Sequence, residues 1–129
     1  AASDVYKRQN SKLKTVLGTV EISEVTSGDN LIWDCALLED VNLKGLRYNI
    51  RMRGCPKLSL ATMQYLVDNA STAITAEKPV VVTVHADVFA KLTGDTTNEA
   101  AAALTDDEKT AWAAVLTAAT SKYISFATD

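Results

Sequence analysis

The sequence predicts an α/β fold in which short parallel strands stack as a right-handed repeat solenoid, closed at its C-terminal end by an α/β cap. Three observations carry that expectation. Cys is twice followed three residues later by Leu, at Cys35 with Leu38 and at Cys55 with Leu58, and the two pairs lie twenty residues apart. The run PVVVTV at 79–84 is continuously β-branched after its proline, the pattern of a strand covered on both faces in a parallel sheet. From residue 50 onward the pattern runs strand, helix, strand, helices, strand, an order that parallel strands joined by right-handed crossovers satisfy.

The chain opens with AASDVYKRQ. Written as codons, GCA GCG TCA GAT GTG TAT AAG AGA CAG, this stretch looks like the adapter and transposon end used to fragment DNA for sequencing. Residues 1–9 are therefore expected to be non-native, in preference to an ordinary frayed terminus, with the natural N-terminus lying upstream. The remainder, 10–129, is expected to be a single leucine-rich-repeat-like α/β domain, with a β-rich repeat part over 10–58 and the cap over 59–129.

In chain order, the stretch from Asn10 to Ser27 reads as strand, since Leu13, Val16, Val20, Ile22 and Val25 are separated by polar residues. SerGlyAspAsn at 27–30 marks a turn. LIWDCALLEDVNL and YNIRMRGCPKLS follow, and in register Ile32 precedes Cys35 by the distance at which Met52 precedes Cys55. Twenty residues is the short end of leucine-rich-repeat periods, in which each turn adds Leu, Val, Ile and Cys to a buried ladder. Tyr48, Ile50 and Met52 are expected to point inward.

After Leu58 the grammar becomes helical. Ser59 is placed as N-cap, Leu58 and Met63 as a hydrophobic staple, and Met63, Leu66, Val67 and Ala70 share one face, predicting a helix from about Leu60 to Asn69. HADVFAKLTG gives a short helix with Val88, Phe89 and Leu92 inward and Gly94 at the left-handed C-terminal position. Asp95 to Glu99 reads as a loop and the alanines at 100–103 as a brief helical turn. Thr105 and Glu108 form a capping box, and the helix they start carries Trp112, Val115, Leu116, Ala119 and Tyr123 on one stripe. IleSerPheAla at 124–127 closes the chain as a strand.

With 129 residues, 47% hydrophobic and 22% charged, the chain has an ordinary globular composition and suffices for a core without staples. The formal charge is −3; residues 4, 7 and 8 together contribute +1, which leaves −4 for the rest. A nucleic-acid partner is disfavoured by that balance. Cys35 and Cys55 are too few for a disulfide scaffold and lack zinc-site spacing. They are expected as buried thiols at equivalent places in successive turns, a disulfide requiring Cα atoms within roughly 7 Å. No Gly-rich phosphate loop, GxSxG, HExxH or CxxC occurs, so neither a cofactor nor a metal is expected, and no membrane-spanning segment is present in the sequence.

The residues CPKLSLATMQYLVDNA, VTVHADVFAKLTG and the closing helix with ISFATD resemble a C-terminal module of gut-bacterial and prophage proteins, many of which carry BspA-like leucine-rich repeats or sit among tail-fibre genes. The likeness covers about residues 31–129 and is most specific from Cys55 onward. It implies a non-catalytic structural or adhesion role at a cell surface or in a virion, with a protein or glycan partner and the upstream part of the same polypeptide as neighbours. It supplies no catalytic residues.

The candidate contact surface is a strand face. KGLRYNIRMRGCPK holds Lys44, Arg47, Arg51, Arg53 and Lys57 with no acid among them, and alternation turns Asn49, Arg51 and Arg53 outward. Such a row is either a solvated face or a holder of phosphate, carboxylate or acidic glycan, to which Arg offers a planar fork. If Val82 and Val84 face inward, Thr83 and His85 share the outward side. The ligand-binding candidates are thus Arg47, Arg51, Arg53, Thr83 and His85, and a small anion- or nucleic-acid-binding domain built on Arg47–Lys57 is the alternative function. A hydrolase would need His85 beside Ser125 and an orienting acid; a helix N-terminal or surface role for His85 is favoured. AspAspGlu at 106–108 is read as helix capping rather than metal binding.

Overall fold

β-branched and alternating residues set the strands of the first half, whereas in the second half alanine-rich helices alternate with the β-branched strand at 80–84 and the closing strand. A computed structural model describes residues 12–25 and 29–128. In order, the elements are β1 (Thr15–Glu21), β2 (Asp29–Asn30), β3 (Asp40–Lys44), β4 (Ile50–Met52), α1 (Leu60–Asp68), β5 (Val80–Val84), α2 (Ala86–Thr93), α3 (Glu99–Ala102), α4 (Asp106–Ser121) and β6 (Ile124–Thr128).

The protein is mixed α/β, with short strands in two small sheets. One sheet has the order β1-β3 and the other β2-β4-β5-β6, and every strand pairing in both is parallel. The first four strands alternate between the sheets, so each connection crosses from one layer to the other. Side chains alternate accordingly: Val41 and Leu43 of β3, and Ile50 and Met52 of β4, are buried while their neighbours are exposed. The buried side chains form one continuous cluster between the layers. Each fully buried Leu, Ile or Met in it contributes roughly 1.5–3 kcal/mol relative to solvent exposure.

The twenty-residue sequence spacing has a conformational counterpart. Asp34 and Gly54, each preceding a cysteine, both adopt left-handed backbone, with φ of 52° and 68°. Each cysteine thiol then donates to the carbonyl two residues back, Cys35 to Trp33 at 3.6 Å and Cys55 to Arg53 at 3.5 Å. The copies lie against one another, because Asp34 N–H donates to the Arg53 carbonyl at 2.8 Å and the Cys55 thiol lies 4.0 Å from the Ile32 carbonyl. Gly54 is required there: beyond its positive φ, a Cβ would stand 3.0 Å from the Asp34 backbone.

In β1, Gly18 at φ 78° accommodates a bulge. Between Thr15 and Thr19 this strand advances four residues while β3 advances two, from Asp40 to Asn42.

α1 takes over where the two-stranded sheet ends. Its N-cap Ser59 accepts from Thr62 N–H at 3.2 Å, and Thr62, the one buried polar side chain among the described residues, turns toward β3. The Thr62 hydroxyl accepts from Val41 N–H at 3.1 Å and donates to the Glu39 carbonyl at 2.7 Å. One side chain thereby satisfies two backbone groups on the β3 edge that a further strand would otherwise pair. At the other end of α1, Lys122 Nζ donates to the Val67 carbonyl at 2.9 Å, which ties α4 to that terminus.

The local helix signals are observed where expected. Gly94 ends α2 at φ 73°, and Thr105 and Glu108 bond reciprocally at the start of α4; α3 starts one residue before the expected alanines, at Glu99, with Asn98, read as loop, as its N-cap.

Several expectations need correction. Asp29 and Asn30 form β2 by pairing with Ile50 and Arg51, so ladder bonding overrides their turn preference; 27 and 28 of the anticipated turn lie outside the described residues. β5 is fully buried on one face only, through Val80, Val82 and Val84, while Val81 and Thr83 are half-buried. Tyr48 is 38% exposed because alternation starts at Ile50, two residues later. Tyr123 is 51% exposed at φ 62°, since α4 stops at Ser121 and the chain must turn into β6. Phe89 and Leu116 are only half-buried.

Candidate binding face of the four-stranded sheet

Burial of Ile50, Met52, Val82 and Val84 on the inner side of β4 and β5 fixes what lies on the outer side. Arg51 and Thr83 are direct cross-strand partners, and Thr83 is paired in turn with Ala127. One register position away from that row, two residues back along β5, Val81 pairs with Ser125. Arg51 and Ser125 are exposed, and Val81, Thr83 and Ala127 half-buried. The outcome is a short outward row across three parallel strands, polar at Arg51 and Thr83 and ending on the methyl group of Ala127.

Arg53 and His85 directly follow the last residues of β4 and β5. The Arg53 carbonyl is used by Asp34 N–H, and its side chain is exposed. His85 is the N-cap of α2: its Nδ1 accepts from Asp87 N–H at 3.0 Å and lies 3.9 Å from Asp87 Oδ2. An accepting Nδ1 leaves Nε2 as the ring position carrying hydrogen. Asp87 is held from the other side by Asn98 Nδ2 at 2.9 Å.

Arg47 is not part of this group. It precedes β4, at the opposite end of the strands from Arg53 and His85, with its guanidinium 5.4 Å above the centre of the Tyr48 ring. Lys44 ends β3 in the other sheet, and Lys57 follows Cys55 in a turn. Of the five cations in the basic stretch, only Arg51 lies within β4. Ser125 and His85 are likewise apart. Ser125 is level with Val81, four residues before His85, an offset of about 13 Å along a strand.

Cys35 and Cys55 are both reduced and buried. Burial, above all, pushes the Cys55 thiol up to about 12; a hydrogen bond with the Cys35 backbone pulls the other way, and the Cys35 thiol and the Asp34 charge add smaller upward contributions. Such a thiol is a packing group and a poor nucleophile. Glu108 Oε1 accepts from Thr105 N–H at 2.9 Å, which makes it a capping group. Among the described residues, no three His, Cys, Asp or Glu side chains are grouped to hold a metal, and no helix is long and apolar enough to cross a membrane.

A second feature is absent from the sequence-level expectations. A cavity of about 300 Å³ opens where the loops entering β4 and β5 meet, lined by Arg47, Tyr48, Asn49, Ala73, Lys78, Pro79 and Val80. Its parts are scattered along the chain, and in sequence only Arg47 stands out as a charge with binding potential. Comparison of the chain with models of known families, with curated proteins and with solved structures finds no match.

Proposed function

We propose that the chain is a non-catalytic binding module, structural or adhesive, in a larger surface or phage-tail protein, and that it meets a protein or glycan partner through the solvent face of β2-β4-β5-β6. In this reading β1–β4 are successive turns of a right-handed leucine-rich-repeat-like solenoid, and 59–129, with α1–α4, β5 and β6, form its cap. The likeness of residues 31–129 to the C-terminal module of BspA-like and prophage tail-associated proteins supports the setting. The observation that carries the contact surface is the direct pairing of exposed Arg51 with Thr83, which places a cationic fork beside a hydroxyl on a rigid sheet rather than on a loop.

The test is a glycan array and a pulldown with the intact protein, each repeated with the double variant Arg51→Ala, Arg53→Ala. Binding by the wild type that the double variant loses supports the proposal. No binding by the intact protein, or equal binding by both forms, contradicts it. Small-anion or nucleic-acid binding by the whole Arg47–Lys57 stretch is the weaker reading, because its cations are divided between β4 and the segments before and after it. It predicts affinity that falls steeply with added salt, and absence of binding at low salt disposes of it.

A further inference from the structure

The cavity between the loops entering β4 and β5 has the chemistry of a small-ligand site. Its lining holds two cations, Arg47 and Lys78, and no carboxylate. Both loops are fixed from behind by backbone hydrogen bonds. Gly45 N–H donates to the Asn69 carbonyl at 2.9 Å and Ser71 N–H to the Leu46 carbonyl at 2.8 Å, which sets the Arg47 loop. Lys78 N–H donates to the Thr75 carbonyl at 3.1 Å and Thr75 N–H to the Lys78 carbonyl at 3.3 Å, which closes the Lys78 turn. Asn49 joins the two, its Oδ1 accepting from Val81 N–H at 2.8 Å, so its Nδ2 remains as a donor. The walls are therefore set in place without a ligand.

We propose that this cavity binds a carboxylate-bearing sugar residue, such as a uronic acid. The carboxylate suits the planar fork of Arg47, with Lys78 as a second charge. The ring's C–H face suits Tyr48, which is 38% exposed, together with the apolar surfaces of Ala73 and Pro79. Sugar hydroxyls suit the Asn49 amide. A volume of about 300 Å³ is at the lower end for ligand sites; it accommodates a sugar ring, whereas inorganic phosphate leaves the Tyr48 side of the cavity unused. The site is separate from the Arg51–Thr83 face and stands or falls independently of it.

The test is titration of the ¹⁵N-labelled protein with galacturonate, methyl galactoside and inorganic phosphate, read by amide shifts. Galacturonate is expected to give saturable shifts at Tyr48, Asn49 and Lys78. Methyl galactoside and phosphate should each bind at least about tenfold more weakly. Arg47→Gln and Tyr48→Ala should each weaken galacturonate binding by a similar factor while the rest of the spectrum keeps its dispersion, and Lys109→Gln, a cation of α4 away from the cavity, should match the wild type. Equal binding of the neutral galactoside, phosphate binding as tight as galacturonate, shifts confined to other residues, or an unaffected Arg47→Gln would each overturn the proposal.

Discussion

The hydroxyl of Thr62 accepts the Val41 N–H at 3.1 Å from within α1, so a helix closes the edge of β3 where a strand would otherwise continue the sheet. The same hydroxyl donates to the Glu39 carbonyl. Thr62→Val keeps the shape and leaves the Val41 N–H buried without a partner, while the Glu39 carbonyl keeps the Ser59 N–H at 2.9 Å, a loss of about 1–3 kcal/mol. Urea unfolding should show a lower midpoint with an unchanged slope, and Thr62→Ser should recover most of it. An unaltered midpoint for Thr62→Val would mean that water or another group serves that edge.

Gly54 should tolerate no side chain. Its φ of 68° and the 3.0 Å approach to the Asp34 backbone act together, and Gly54→Ala is expected to cost about 1–3 kcal/mol. Gly18→Ala is the control: its φ is also positive, but no atom lies within 4 Å of the added Cβ, so the loss should be smaller. Thermal unfolding of the two variants ranks them.

The raised Cys55 thiol predicts an alkaline limit on stability. In the unfolded chain a cysteine ionises near about 8.5, whereas in the folded protein the value is about 12. Between those values the unfolded state binds fewer protons, so stability falls as pH rises from about 8.5 toward 12. Below that window Cys55 contributes no pH dependence. Denaturant midpoints measured across the window should fall more steeply for the wild type than for Cys55→Ala, and the native thiol should resist disulfide reagents until urea is added.

Glu108 predicts an acid limit of opposite sign. Its hydrogen bonds from the Thr105 backbone and side chain hold the carboxyl below its ordinary value. A depressed carboxyl contributes stability above the unfolded pKa, about 4.3, and loses it as pH falls through the folded one. Glu108→Gln should flatten that part of the pH–stability curve and lower stability near neutrality, as a weakened capping box does.

What the sequence discloses about this fold follows the range of the interaction. Ser59, Gly94 and the Thr105–Glu108 box were legible because a helix cap is decided within about four residues. The cysteine spacing was legible because two copies share one turn conformation. β2, Tyr48 and Tyr123 were not, since their states depend on which strand lies alongside and where α4 must stop. The candidate face was half legible: alternation placed Arg51 and Thr83 on one side, yet the candidate set also took in Arg47, although β4 begins only at Ile50. The cavity was illegible, because Lys78 and Arg47 become neighbours only after β5 docks beside β4.

The fold and the proposed binding face depend on β4, β5 and β6 lying side by side in one direction, with Arg51 level with Thr83 and Thr83 level with Ala127. The direct measurement is a nuclear Overhauser spectrum of the labelled protein, read for backbone contacts among these three strands. Contacts in the parallel pattern at those two pairs are predicted. Antiparallel contacts, or a register that sets Arg51 against a residue buried on the inner face of β5, would contradict the sheet and the binding face together.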